Sequence, residues 1–137
     1  MQDHTITPLL DITREDVVYA AAWSPTKPSI FSLVDGAGSL EVWDLNVETE
    51  VPVAKAQPGV HPGTGRGMGH GRSLNKLAWE GTEGKRIAVG GLDGVVTVFE
   101  VGSALGGEAA AAEWQGVRKM IGRLEQTPAG GDGRIVS

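Results

Sequence analysis

Apolar positions in this chain fall into short runs cut by turn residues, and the longest ordered stretch, residues 17–45, recurs. Shifted by 56 positions, Trp23 falls on Trp79, Phe31 on Ile87, Gly38 on Gly94, Val42 on Val98, Trp43 on Phe99 and Leu45 on Val101, with no insertion. Three apolar runs separated by turns and used twice in the same order mark a repeated antiparallel unit. In the first copy, residues 17–23 carry small and large side chains on both faces, which suits a strand covered on both sides. Residues 30–34 and 40–45 supply the next two strands, linked by Asp35-Gly36-Ala37-Gly38. A fourth, outer strand is expected over 51–56, with Pro52 placing it at an edge. The second copy runs through 74–79, 86–90 and 95–101, with turns at 81–84 and at Leu92-Asp93-Gly94.

The third strand of each copy ends aromatic-acid-aliphatic, Trp43-Asp44-Leu45 and Phe99-Glu100-Val101, an ending that resembles the third strand of a WD-type propeller blade. The expected fold class is therefore all-β: a partial WD40-type β-propeller of about two blades, followed by a C-terminal amphipathic helix. Trp23, Trp43, Asp44, Trp79, Asp93, Gly94 and Phe99 are the expected structural residues. Residues 1–16 are expected to be an outer-strand remnant and turn of a preceding blade. Residues 17–57 form one WD-like blade, 58–73 a glycine-rich flexible loop, and 74–102 a second, incomplete blade. Helix follows at 108–125, then a disordered tail at 126–137. The helix is read from the three-four-three spacing of Trp114, Val117, Ile121 and Leu124. Gly116 and Gly122 weaken it, so it needs a surface to dock on, either its own blades or a partner.

A closed propeller takes about four to eight blades. A chain of 137 residues with two of them is expected to be a fragment of a longer repeat protein or to associate with other units. Two early acids and the lack of a basic stretch before an apolar core predict no secretory leader, and no apolar run has the length of a membrane span. The absence of cysteine excludes disulfides and thiolate metal sites. Charge is uneven: residues 1–50 carry nine acids and two bases, the remainder eight acids and ten bases. The acidic half would repel a nucleic-acid backbone, so no nucleic-acid partner is expected.

Nothing in the chain assembles into catalytic chemistry. His4, His61 and His70 lie in a terminus and a glycine-rich tract without zinc-ligand spacing. The tract at 58–73, with six glycines in sixteen residues, lacks the lysine and the glycine register of a phosphate-binding loop. Gly69-His70 stands nine residues before Trp79, where a histidine could hold Asp93; Arg14 has the same offset from Trp23. Asp35 and Asp93 sit in glycine turns, where a carboxylate caps backbone N–H groups. No serine has a nucleophile-elbow context. The expectation is a non-enzyme without cofactors.

One resemblance is more specific. The segments Val18–Pro25, Val34–Gly38, Trp43–Asn46 with Thr49–Pro52, Leu74–Trp79, Ala88–Gly94 and Glu113-Trp114 are similar to the last blades of the WD-repeat domain of cytoplasmic dynein intermediate chains. That resemblance covers about residues 12–125; the glycine loop at 58–73 departs from it. It implies a non-catalytic adaptor that binds the dynein heavy-chain tail, located in the cytoplasm on the microtubule cytoskeleton. An axonemal intermediate chain, or a generic WD-repeat scaffold of another complex, is the alternative. Partner contact is expected at Asp35, Lys76 and Arg86 near strand ends, and at Trp114 and Arg118 on the helix.

Overall fold

The computed structural model describes residues 4–59, 73–107 and 111–126. The sheets are built from β1 (Val18–Trp23), β2 (Ile30–Asp35), β3 (Leu40–Asp44), β4 (Ala54–Ala56), β5 (Leu74–Trp79), β6 (Arg86–Gly91) and β7 (Val96–Glu100), followed by the helix α1 (Ala111–Gln126). They form a four-stranded sheet, β1-β2-β3-β4, and a three-stranded sheet, β5-β6-β7. All pairings are antiparallel. This is a partial propeller of about two blades with one helix.

The 56-residue repeat is obeyed to the level of individual backbone bonds. The irregularity between Val18 and Ala20 has its counterpart between Leu74 and Lys76. Leu45 N donates to Ser29 O at 3.0 Å, and Val101 N to Lys85 O at 2.8 Å. Gly38 and Gly94 close the equivalent turns with φ of 89° and 77°, a region that only a residue without Cβ enters at little cost.

The core lies between the two sheets. Alternation along each strand sends Ile30, Val34, Leu40 and Val42 toward Leu74, Ile87 and Val89, with Trp79 and Phe99 packed around them. β3 is buried on both faces, as its mixed pattern requires. β1 is not: Val18, Tyr19 and Trp23 are exposed. The expectation of a doubly covered strand is corrected here: Trp23 lies with Phe31 on the free face of the first sheet, which no second sheet covers among the described residues.

Two boundaries differ from the sequence reading. The fourth strand is confined to Ala54–Ala56, since Pro52 has no N–H to give to a ladder. Residues 4–17 form no strand. The outer strand expected near 5–10 has no sheet edge beside it, and the segment instead lies across the free face of the first sheet. The helix is described over Ala111–Gln126, and the expected start at 108 lies outside the described residues. The glycine loop between 60 and 72, with His61 and His70, and the tail from 127 onward lie outside the described residues.

Candidate interaction surface

The free face of the first sheet carries a row of aromatic rings. Trp23 meets Phe31 edge-on with centroids 5.7 Å apart, and Phe31 stacks on Trp43 at 6.0 Å. Cross-strand neighbours on one face of an antiparallel sheet sit close enough for such contacts. The row is closed at its inner end by the N-terminal segment: the Arg14 guanidinium lies 5.6 Å from the Trp43 ring centre. Arg14 Nη2 also donates to Glu41 Oε2 at 2.7 Å, and Trp43 Nε1 donates to Glu41 Oε1 at 3.1 Å. Glu41 is thereby held at 1% exposure and Trp43 at 0%. Trp23, at the open end, is 62% exposed.

Helix α1 forms the opposite wall. Lys27 Nζ donates to both carboxylate oxygens of Glu113, at 2.8 and 3.1 Å, and Asn46 Nδ2 donates to Glu113 O at 3.2 Å. Gly116 permits the approach, since a Cβ there would stand 2.9 Å from Asn46 Nδ2. The glycine read from sequence as a weakness is thus a docking point. Val117, Ile121 and Leu124 face the sheet as their spacing implies, joined by Met120. Trp114 turns outward instead. Between the segment at 7–12 and the helix lies an open groove of about 680 Å³, floored by Trp23, Phe31 and Leu45.

The remaining candidate residues divide by role. Asp44 accepts from Ser29 Oγ at 2.7 Å and from Asn46 N at 3.0 Å, fixing the turn after β3. Trp79 donates to Ser32 Oγ at 2.8 Å, across the two blades. Phe99 packs on the core, and Asp93 accepts from Val95 N at 3.0 Å beside Gly94. Asp35 was expected at a contact surface. It is 5% exposed, because its carboxylate accepts from Ala37 N and Ser39 N within its own turn. Lys76 and Arg86 are exposed, and strand alternation puts both on the free face of the second sheet, where Arg86 stands 4.0 Å from Glu100. Trp114 and Arg118 are exposed one helical turn apart. The structure therefore separates the expected contact residues into a helix pair and a second-sheet pair and removes Asp35 from both.

Sequence reasoning missed Ser32 and Lys27, and noted Arg14 and Asn46 only for an offset and a motif, not for the contacts they make. Ser32 left a local sign, a hydroxyl inside an apolar strand, which once buried needs a partner. Glu80 caps the 81–84 turn, and N–H bonds from Glu83 and Thr82 hold its carboxyl below the usual glutamate range.

No group of three or more metal-ligating side chains occurs among the described residues, and the chain has no cysteine. No helix there is long and apolar enough to cross a membrane. The two antiparallel sheets, related by the 56-residue offset, are those of a partial WD-repeat-type propeller. No family model matches the chain. It is 33% identical over 101 residues to the cytoplasmic dynein 1 intermediate chain of Drosophila melanogaster, a match covering 74% of this chain and 13% of that protein. A solved structure of an active polycomb repressive complex 2 in the basal state contains a chain of the same fold. The TM-score is 0.53 at 19% identity, over 73% of this chain and 19% of that one. The fold is thus of the WD40-repeat type, related to dynein intermediate chains and other WD propellers.

Proposed function

We propose that the chain acts as a rigid scaffold within a multi-protein complex, offering the free faces of its two blades and the groove beside α1 to other proteins. The observation that carries this reading is the exposed end of the aromatic row. Trp23 is held by Phe31 on a strand floor, yet most of its ring is open to solvent. A preorganised aromatic anchor binds with little ordering cost. Affinity capture with the tagged chain and with a Trp23→Glu variant tests it. A stoichiometric complex recovered by the first and lost by the second is the expected result, and an equal yield from both baits would refute it.

A second reading is favoured by the sequence match to a cytoplasmic dynein intermediate chain. On it, the complex is the dynein motor and the partner is the tail of its heavy chain, with the protein on the microtubule cytoskeleton in the cytoplasm. Recovery of dynein heavy chain in the same capture would select this reading over the general one. Recovery of a chromatin or ubiquitin-ligase complex would select against it.

A further inference from the structure

The groove between the segment at 7–12 and α1 is apolar on both walls and on its floor. Leu9 and Trp23, both part of its lining, are 43% and 62% exposed. A contiguous apolar patch of this kind marks a binding surface more often than a bare one.

The helix leads the chain directly to it. Val117, Ile121 and Leu124 line one wall, which at about 1.5 Å per residue is about 10 Å long. The helix ends at Gln126, two residues past Leu124. The residues that follow are Thr127-Pro128-Ala129-Gly130-Gly131-Asp132-Gly133-Arg134-Ile135-Val136-Ser137, in which Ile135 and Val136 are the only large apolar side chains. Ile135 stands nine residues past Gln126, a reach of up to about 30 Å at roughly 3.3 Å per residue, ample to return along the whole wall. Pro128 and Gly130-Gly131 are the residue types that turn a chain back on itself. The charges agree as well. Asp11 is exposed between the lining residues Leu10 and Ile12, and Arg118 is exposed beside the lining residue Val117. Asp132 and Arg134 carry the complementary signs on either side of Gly133.

We propose that Arg134-Ile135-Val136 occupies this groove, with the two apolar side chains on Trp23 and the α1 wall, so that the chain covers its own contact surface. This rests on the scaffold reading above and adds the regulation of the same surface: a partner must displace the segment. Tethering favours this occupant over the same segment of a second copy, because a short linker holds it at an effective concentration of about millimolar. A partner's apparent affinity is then scaled down by the fraction of molecules in which the groove is open.

The chain has no cysteine, so Ser137→Cys carries a single nitroxide label next to the segment, and nuclear magnetic resonance of the full chain reads where that label sits. Paramagnetic broadening should remove the Trp23 indole N–H signal and the Val117 and Leu124 amide signals, with recovery when the label is reduced. The Thr97 and Phe99 amides, on β7 of the second blade, should keep theirs. Trp23→Glu identifies the indole signal. Ile135→Asp combined with Val136→Asp should abolish the loss, while unchanged β2 and β3 amide positions establish that the sheets are intact. A Trp23 signal that survives the label overturns the proposal. So does broadening that persists in the double variant, because proximity then owes nothing to the apolar pair. Broadening of an isotope-labelled chain by an added spin-labelled one assigns the groove to a second copy and overturns it too. This readout needs no partner, so its failure leaves the scaffold reading standing. Equal capture by the parent and Trp23→Glu baits refutes the scaffold reading without touching the broadening result.

Discussion

The Trp79 indole N–H, on β5 of the second blade, donates to the Ser32 hydroxyl, on β2 of the first, at 2.8 Å. Ser32 is fully buried among Ile30, Val34 and Val42, so this bond fixes how far and at what angle the two sheets approach. Trp23 occupies the repeat-equivalent position on the other side of the first sheet, with its ring in the open groove.

Removing the acceptor should therefore cost stability out of proportion to its size. Ser32→Ala is expected to lower unfolding free energy by about 1–3 kcal/mol, the range for leaving one buried donor unpaired. Trp79→Phe on the Ser32→Ala background should add less than it does alone, because the two share one bond. Urea unfolding of the four proteins in the cycle measures this, and strict additivity would show that the bond is not coupled.

Trp43 is the largest fully buried side chain, stacked on Phe31 and covered by Arg14. Trp43→Ala should cost about 3–5 kcal/mol, while Trp114→Ala, on the outward face of the helix, should change stability by less than about 0.5 kcal/mol. Comparable midpoints for the two variants would contradict the burial assignment.

The difference between these tryptophans also shows what the sequence could and could not reveal. Strand order, blade number and the turns at Gly38 and Gly94 were legible because each rests on local patterning repeated at one spacing. Trp43 could be assigned to the core because it falls in a strand with apolar residues on both faces. Trp114 was placed on the helix stripe because three-four-three spacing was the only guide. Docking through Gly116 and Asn46 rotates the helix so that Met120 takes the buried position instead. Asp35 and the segment at 4–16 were misjudged for a similar reason. Whether a turn carboxylate is consumed by its own N–H groups, or a segment lies across a sheet rather than along its edge, depends on tertiary neighbours.

The Lys27–Glu113 pair joins the first blade to the helix, with side-chain exposures of 8% and 29%. Its partial burial places it between surface pairs, worth about 0–1 kcal/mol, and fully buried ones. Glu113→Gln should loosen α1 without unfolding the sheets. The expected sign is faster proteolysis within residues 111–126, with strand amides of β2 and β3 still protected. Unchanged cleavage of the helix would show that the apolar stripe alone holds it.

Glu80 gives a pH prediction. Its folded-state pKa lies below the unfolded value because backbone N–H groups bond to the ionised carboxylate. The stabilisation is therefore present above the unfolded glutamate value and is lost as pH falls through the lower folded value. Glu80→Gln should remove that part of the acid dependence and leave stability near neutral pH less sensitive to acidification. A variant whose stability-versus-pH curve overlies the parent's would rule out a contribution from this cap.

The Arg14–Glu41 pair makes the strongest demand on the N-terminal segment. Glu41 sits at 1% exposure under Trp43, and its two oxygens are met by Arg14 Nη2 and Trp43 Nε1. Arg14→Ala removes the cation and its cover over Trp43, leaving a buried carboxylate with an indole N–H; a loss of about 3 kcal/mol is expected, at the lower end for breaking a buried pair. Glu41→Leu on that background removes the stranded charge and should restore a large part of the loss, since apolar replacement of a whole buried pair is often neutral. If the segment were only loosely laid on the sheet, Arg14→Ala would cost less than about 0.5 kcal/mol and Glu41→Leu would rescue nothing. Urea unfolding of the parent and the two variants therefore separates an N-terminal segment packed over the inner end of the aromatic row from a loose extension.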